Sequence, residues 1–202
     1  MSVLVVVRRR ALAGQEQPLL AAMAAELQSS RPPRSLRARV FQGLSDRRAA
    51  IYIAEWSSRE AYLTYNTPPL VTLDALSTSP PRRWYCQPLD LFEAHSEPPQ
   101  VLTSSIFEAQ PATAMPLISF LMEQAGPALY QSTSCVLRAL YQDLDHPSRF
   151  ISLKGWRSEA EWSAAMAALA PRLDAHVEKL GATVEHFTGL LRADVVSAAP
   201  QP

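Results

Sequence analysis

Hydrophobic residues recur along this chain in two rhythms. A period of two marks a strand with one buried face, and a spacing of three and four marks an amphipathic helix. Val3 to Arg8 reads as a β-branched strand, and Leu102 to Glu108 as another. Leu19, Leu20, Met23 and Leu27 fall at helical spacing and predict a helix over about 17–28. Leu117, Ile118, Leu121 and Met122 predict its counterpart over about 114–124. Leu36 to Phe41 alternates apolar and polar, and the strand Ala49 to Glu55 runs up to Trp56. Ser57 or Ser58 then caps a second helix, with Glu60 in its first turn. Phe150 to Trp156, followed by Ser158, reads the same way. Closing strands are expected near Leu89–Glu93 and Val184–Leu191.

The pattern occurs twice. Trp56-Ser57-Ser58-Arg59-Glu60-Ala61-Tyr62 lines up with Trp156-Arg157-Ser158-Glu159-Ala160-Glu161-Trp162 at an offset of 100. Leu36, Val40, Phe41, Gln42 and Leu44 meet Val136, Leu140, Tyr141, Gln142 and Leu144 at the same offset. Nearer the start the offset is 98, where Pro18-Leu19-Leu20 meets Pro116-Leu117-Ile118. This predicts a diverged tandem duplication. Each copy has the order β-α-β-β-α-β, the ferredoxin-like split βαβ unit. One face of such a sheet is covered by its helices, and the other needs a partner sheet. The expected architecture is α+β: a first unit over 1–95, a linker over 96–100, a second unit over 101–196 and a tail over 197–202. The two sheets are expected to pack face to face as an intrachain dimeric α+β barrel.

Composition narrows the functions. With 48% hydrophobic and 19% charged residues, the chain can build a core and does not read as disordered. No apolar run reaches a membrane span. Arg8-Arg9-Arg10 follows the apolar opening instead of preceding it, which is the wrong order for a secretory signal and predicts a cytoplasmic protein. The 19 basic and 19 acidic residues balance, so no nucleic-acid or membrane partner is expected. Residues 1–100 carry 12 Arg against 9 acids and residues 101–202 carry 7 cations against 10 acids, a split that favours association of the halves. Cys86 and Cys135 lack metal spacing and read as buried small hydrophobes. His95, His146, His176 and His186 form no HxxxH or HExxH pattern. Neither GxGxxG, nor a P-loop, nor GxSxG is present, and the chain has only 6 Gly. Arg outnumbers Lys 17 to 2, a composition suggestive of a GC-rich bacterial gene.

The strand that ends in Trp, then Ser and an amphipathic helix, within the β-α-β-β-α-β order, resembles the antibiotic biosynthesis monooxygenase-like family of the dimeric α+β barrel superfamily. The chain looks like a fused version with both protomers in one polypeptide. The resemblance spans 1–95 and 101–195. It implies a cofactor-independent oxygenase that oxidises an aromatic polyketide-type anthrone or quinol with O2. In anthrone-oxidising members the tryptophan after the third strand and an aromatic six residues later line the pocket, which points to Trp56 with Tyr62 and Trp156 with Trp162. Tyr62 keeps a phenol that can donate and accept, whereas Trp162 can only donate. The first half is therefore the expected working half. A family arginine on the second helix has no match, and Arg82 and Arg83 come later. In haem-degrading relatives a histidine about ten residues after the tryptophan holds iron. Asn66 and Met166 stand there, which argues against haem, with His176 the nearest histidine.

Cofactor-free oxygenation needs an apolar slot for a flat ring, a base and fixed donors for an oxyanion. Strand alternation puts Tyr52, Ala54 and Trp56 on one face, and Arg8 is the candidate cation. The expected catalytic residues are Trp56, Tyr62, Trp156 and His176, with Tyr52, Arg8 and Trp162 binding substrate. His186 is equally able to act as the base. No metal or organic cofactor is expected; the partners are an apolar aromatic substrate and O2, and further homo-oligomers are possible. Each residue also has a plain structural role: the tryptophans seal sheet to helix, Tyr62 and Trp162 suit a buried helix face, and Arg8 suits a solvated strand end. A non-redox cyclase or isomerase, or a small-ligand binder, would use the same apolar pocket.

Overall fold

A computed structural model describes residues 2–29, 35–65, 71–93, 98–125 and 135–196. His95, Asn66, residues 96–97 of the expected linker and the whole expected tail lie outside them. The elements run β1 (Val3–Arg10), α1 (Glu16–Ser29), β2 (Ser35–Gly43), β3 (Ala49–Trp56), α2 (Arg59–Tyr65), α3 (Val71–Ala75) and β4 (Arg82–Glu93). They continue β5 (Val101–Glu108), α4 (Pro111–Phe120), a π-helical turn (Leu121–Ala125), β6 (Cys135–Asp143), β7 (Arg149–Trp156), α5 (Glu159–Lys179) and β8 (Thr183–Val196). Each half thus follows the β-α-β-β-α-β order, with the short α3 added in the first.

Contacts group the chain into unit 1, Met1–Gln87 with Gly189–Pro202, and unit 2, Pro88–Thr188. The boundaries fall inside β4 and β8, so each of these strands gives one end to each unit. In unit 1 the antiparallel order is β4-β1-β3-β2-β8, and in unit 2 it is β8-β5-β7-β6-β4. Both closing strands exceed their sequence reading. The charged pair Arg82-Arg83 hides the start of β4, and the polar Arg192 and Asp194 hide the end of β8.

The two hairpins β2–β3 and β6–β7 are built alike. Each has a register shift opposite its tryptophan, between Ser35 and Arg37 and between Cys135 and Leu137. Gln42 Nε2–H donates to the Arg47 carbonyl at 2.9 Å, and Gln142 Nε2–H donates to the Pro147 carbonyl at 2.8 Å. The helices that follow are capped alike too. Ser58 Oγ accepts from the Ala61 amide at 3.1 Å and Ser158 Oγ from the Glu161 amide at 3.2 Å, which satisfies one orphan donor of each first turn.

The helix-covered face of unit 1 holds Val3, Val5, Val7, Ala38, Val40, Ala54 and Trp56 against Leu19, Leu20, Met23, Tyr62 and Leu73. In unit 2 the corresponding face is apolar at one end, around Phe107, Leu117, Phe120, Leu140, Phe150, Leu173 and Val177, and at the other around Trp156 and Leu169. The stretch between these clusters is polar, and the site is built there.

Candidate functional site

Strand register fixes what shares a face. In unit 1 Val3 pairs with Trp56, Val5 with Ala54 and Val7 with Tyr52. In unit 2 the matching pairs are Val101 with Trp156, Thr103 with Lys154 and Ser105 with Ser152. The first step is a Val–Trp pair in both units, and the next two are filled by valines, alanine and tyrosine in one unit and by Thr, Ser and Lys in the other. A buried polar group costs free energy unless it is paired, so this substitution needs a reason.

In unit 1 the expected residues do meet. Trp56 and Tyr62 pack edge to face at 5.4 Å, and Tyr62 meets Tyr85 at 5.7 Å. Tyr52 packs against the same cluster. The Arg59 guanidinium lies 4.3 Å over the Tyr85 ring. Arg8 is not brought there. Val7 pairs with Tyr52 and with Arg83, while Arg8 pairs with Ile51 and Arg82, so Arg8 lies on the opposite sheet face. The cation on the Tyr52 face is Arg83. It hydrogen-bonds Tyr62, whose phenol is pushed above its ordinary pKa by burial, with Arg83 pulling the other way. Glu26, one turn beyond Met23 on α1, is pushed up to about 7 by desolvation, against the pull of Arg9 and Arg83.

In unit 2 the polar stretch forms a connected set. Trp162 Nε1–H donates to Thr103 Oγ1 at 3.0 Å, and Thr103 Oγ1 lies 3.2 Å from Thr188 Oγ1. Ser105, fully buried, shares a hydrogen with His186 Nδ1 at 2.9 Å. His186 Nε2 lies 3.6 Å from a carboxylate oxygen of Asp174, whose side chain is 57% exposed, so a chain of groups leads from the interior to solvent. Burial lowers the His186 pKa, Lys154 lowers it further and Asp174 opposes both, so the ring is neutral at neutral pH and able to accept a proton. Lys154 is 2% exposed and its Nζ has no hydrogen-bond partner among the described residues. Desolvation brings its pKa down to about 8, opposed by Cys135 and Asp174. The indole N–H of Trp156, two residues on along the same face, is also buried with no partner among the described residues.

Lys154 lines a cavity of about 20 Å³ with Ser152, Leu121, Ala125, Leu140 and the Arg138–Asp90 ion pair. That is room for about one water molecule. A ring-sized ligand must displace Leu121 and Ala125, the two ends of the π-helical turn, and such turns recur at functional sites. His176, the histidine expected in the site, stacks on Phe120 at 3.7 Å and 8° and is not part of the Ser105–His186–Asp174 chain. No group of three or more His, Cys, Asp or Glu able to hold a metal occurs among the described residues. No helix among them is long and apolar enough to cross a membrane.

No protein-family profile matches the chain, and no curated protein does. Solved structures share its fold. A candidate monooxygenase from Fusobacterium nucleatum superposes with a TM-score of 0.77 at 6% identity, covering 96% of this chain and 94% of the other. An anthrone oxidase-like protein gives 0.75 at 13% identity, covering 99% and 94%. A ferredoxin-fold protein related to antibiotic biosynthesis monooxygenases, from Listeria monocytogenes, gives 0.55 at 9%, covering 94% and 95%. The chain therefore has the fold of monooxygenase-like ferredoxin-fold proteins.

Proposed function

We propose that this chain is a cofactor-independent, monooxygenase-like enzyme that deprotonates an electron-rich aromatic carbon acid of the anthrone or quinol type and lets the anion react with O2. The observation that carries this reading is Lys154, a buried cation on the face of Trp156 with no partner among the described residues, beside a neutral histidine in a hydrogen-bonded chain. Together they supply the base and the oxyanion donor that such a reaction needs.

The geometry supports the following roles. The ring lies against Trp156 and Trp162. The substrate proton passes to Ser105 Oγ as the Ser105 proton moves to His186 Nδ1, and Asp174 stabilises the imidazolium. Lys154 Nζ and the Trp156 N–H hold the developing oxyanion in place of water. The carbanion gives one electron to O2, the radicals combine, and the peroxide loses water to leave a quinone. Trp56, Tyr62 and Tyr52 pack the matching position of unit 1, where valines and Ala54 replace the polar groups. The fold's likeness to an anthrone oxidase-like protein is consistent with the substrate class.

The test is oxygen uptake by the metal-free protein with a panel of anthrones and hydroquinones, beside His186→Asn. Uptake above autoxidation is expected, with His186→Asn slower by about 10²–10⁴-fold. Asp174→Asn removes the charge that holds the His186 pKa up, so its acid limb should move to lower pH. Uptake no faster than autoxidation across the panel contradicts the reading. An isomeric product with no label from ¹⁸O2 would move the same base and cation to a non-redox isomerase or cyclase.

A further inference from the structure

Arginine supplies nearly every cation of this chain, 17 residues against two lysines. Lys179 is exposed at the end of α5, and Lys154 is buried. The buried arginines all have carboxylates: Arg9 meets Asp74 at 2.7 Å, Arg39 meets Asp194 at 3.0 Å and Arg138 meets Asp90. Lys154 Nζ has no such partner among the described residues. Arginine stays charged at any ordinary pH, whereas a lysine can shed its proton when buried. The unpaired position is thus held by the cationic residue type that can become neutral. A neutral buried amine beside a cavity is a nucleophile.

We propose that Lys154 is an imine-forming amine for small aldehydes and ketones that carry a hydrogen on the neighbouring carbon. The Nζ lone pair attacks the carbonyl carbon, and the carbonyl oxygen takes two protons and leaves as water. The nitrogen loses its hydrogens, and a C=N bond replaces C=O. The imine nitrogen takes one proton from water, and the protonated imine acidifies the adjacent C–H, whose proton passes through Ser105 Oγ to His186 Nδ1 and leaves an enamine. Returning a proton restores the imine, and water releases the carbonyl compound. The cavity of about 20 Å³ has room for about one water molecule, so even a small carbonyl compound enters only by displacing its apolar walls Leu121 and Ala125, and small size keeps that displacement least.

Lys154 is mostly charged at neutral pH, and burial leaves it a minor neutral share that an ordinary lysine lacks. On β6 lie Cys135 and Arg138, on α5 Asp174, on β8 His186 and on β4 Asp90. Burial dominates over the pull of Cys135 and Asp174 and brings the pKa to about 8. The inference rests on the same Lys154 and Ser105–His186 chain as the proposed function, through the neutral amine instead of the charged one, and its test is read without oxygen.

The experiment treats the full-length protein anaerobically at pH 7 with acetaldehyde and cyanoborohydride, then maps N-ethylation by peptide mass spectrometry. Lys179 is the internal control. Lys154 is expected to be labelled at least about tenfold faster than Lys179, since one unit of pKa is tenfold in the free-amine population. The preference should vanish in urea. Wild-type protein should also exchange the α-hydrogens of acetone in D2O, and Lys154→Arg, which keeps a cation but cannot form the imine, should not. Lys154→Met, which keeps the volume without the charge, should fail as well, with folding of both variants checked by circular dichroism. Equal or faster labelling of Lys179 in the folded protein, or exchange that survives in folded Lys154→Arg, overturns the proposal.

Discussion

Lys154→Met is expected to stabilise the folded chain and to slow turnover together. Its pKa falls from 10.5 to about 8 on burial, a cost of about 3 kcal/mol for keeping the charged form inside. Below pH 8 both folded and unfolded chains hold the proton, and the penalty is complete. Between pH 8 and 10.5 the unfolded chain holds a proton that the folded chain has released, so stability rises with pH. Above about 10.5 both are neutral and the penalty is gone. Tyr62 and Cys135, whose pKa values burial raises, titrate the opposite way in this range. The measurement is therefore the difference between wild type and variant. Urea midpoints should favour Lys154→Met by up to about 3 kcal/mol at pH 7, and the gap should close towards pH 10.5. Turnover should fall by about 10²–10³-fold, as when one oxyanion donor is removed. A residue that costs stability and supplies activity is the signature of a site. A gap independent of pH would show that Lys154 is charged and solvated in the folded state.

Trp56→Ala is expected to cost about 3–5 kcal/mol, the usual range for emptying a large aromatic site. Trp56 is 2% exposed and its edge contact with Tyr62 is lost with it. Urea unfolding measures the loss. A cost under about 1 kcal/mol would mean that the site collapses or was loosely filled, and unit 1 would then have room for a ligand.

Much of the fold was legible. Alternation and helical spacing located β1, β3, β5, β7, α1 and α4, and the two Trp–Ser patterns located the caps, to Ser57 or Ser58 in the first copy, where the structure selects Ser58, and to Ser158 in the second. The ends of β4 and β8 were not, since their polar residues interrupt the pattern while pairing continues. Register decides the fate of Arg8. Alternation placed Tyr52, Ala54 and Trp56 together, but only the pairing of Val7 with Tyr52 shows that Arg8 belongs to the other face. The site in unit 2 left a signal that went unused. The same alternation, applied a hundred residues on, puts Ser152, Lys154 and Trp156 on one face. A lysine between apolar neighbours, two residues before a buried tryptophan, in a chain with two lysines, stands out. The choice between His176 and His186 needed tertiary contacts, because a long α5 carries the first and β8 the second. Arg83, Tyr85 and Glu26 were missed as neighbours of Tyr62, since they come from β4 and α1 and converge only in the folded unit.

The most direct test compares oxygen uptake by Trp156→Phe and Trp56→Phe on one active anthrone or hydroquinone. Both keep a buried ring and should fold. Phenylalanine removes the donor that Trp156 offers an oxyanion, so Trp156→Phe should lose about 10²-fold or more. Trp56→Phe should stay within a few-fold of wild type. The reverse pattern, with uptake lost in Trp56→Phe and kept in Trp156→Phe, would place the chemistry in unit 1 and contradict the account.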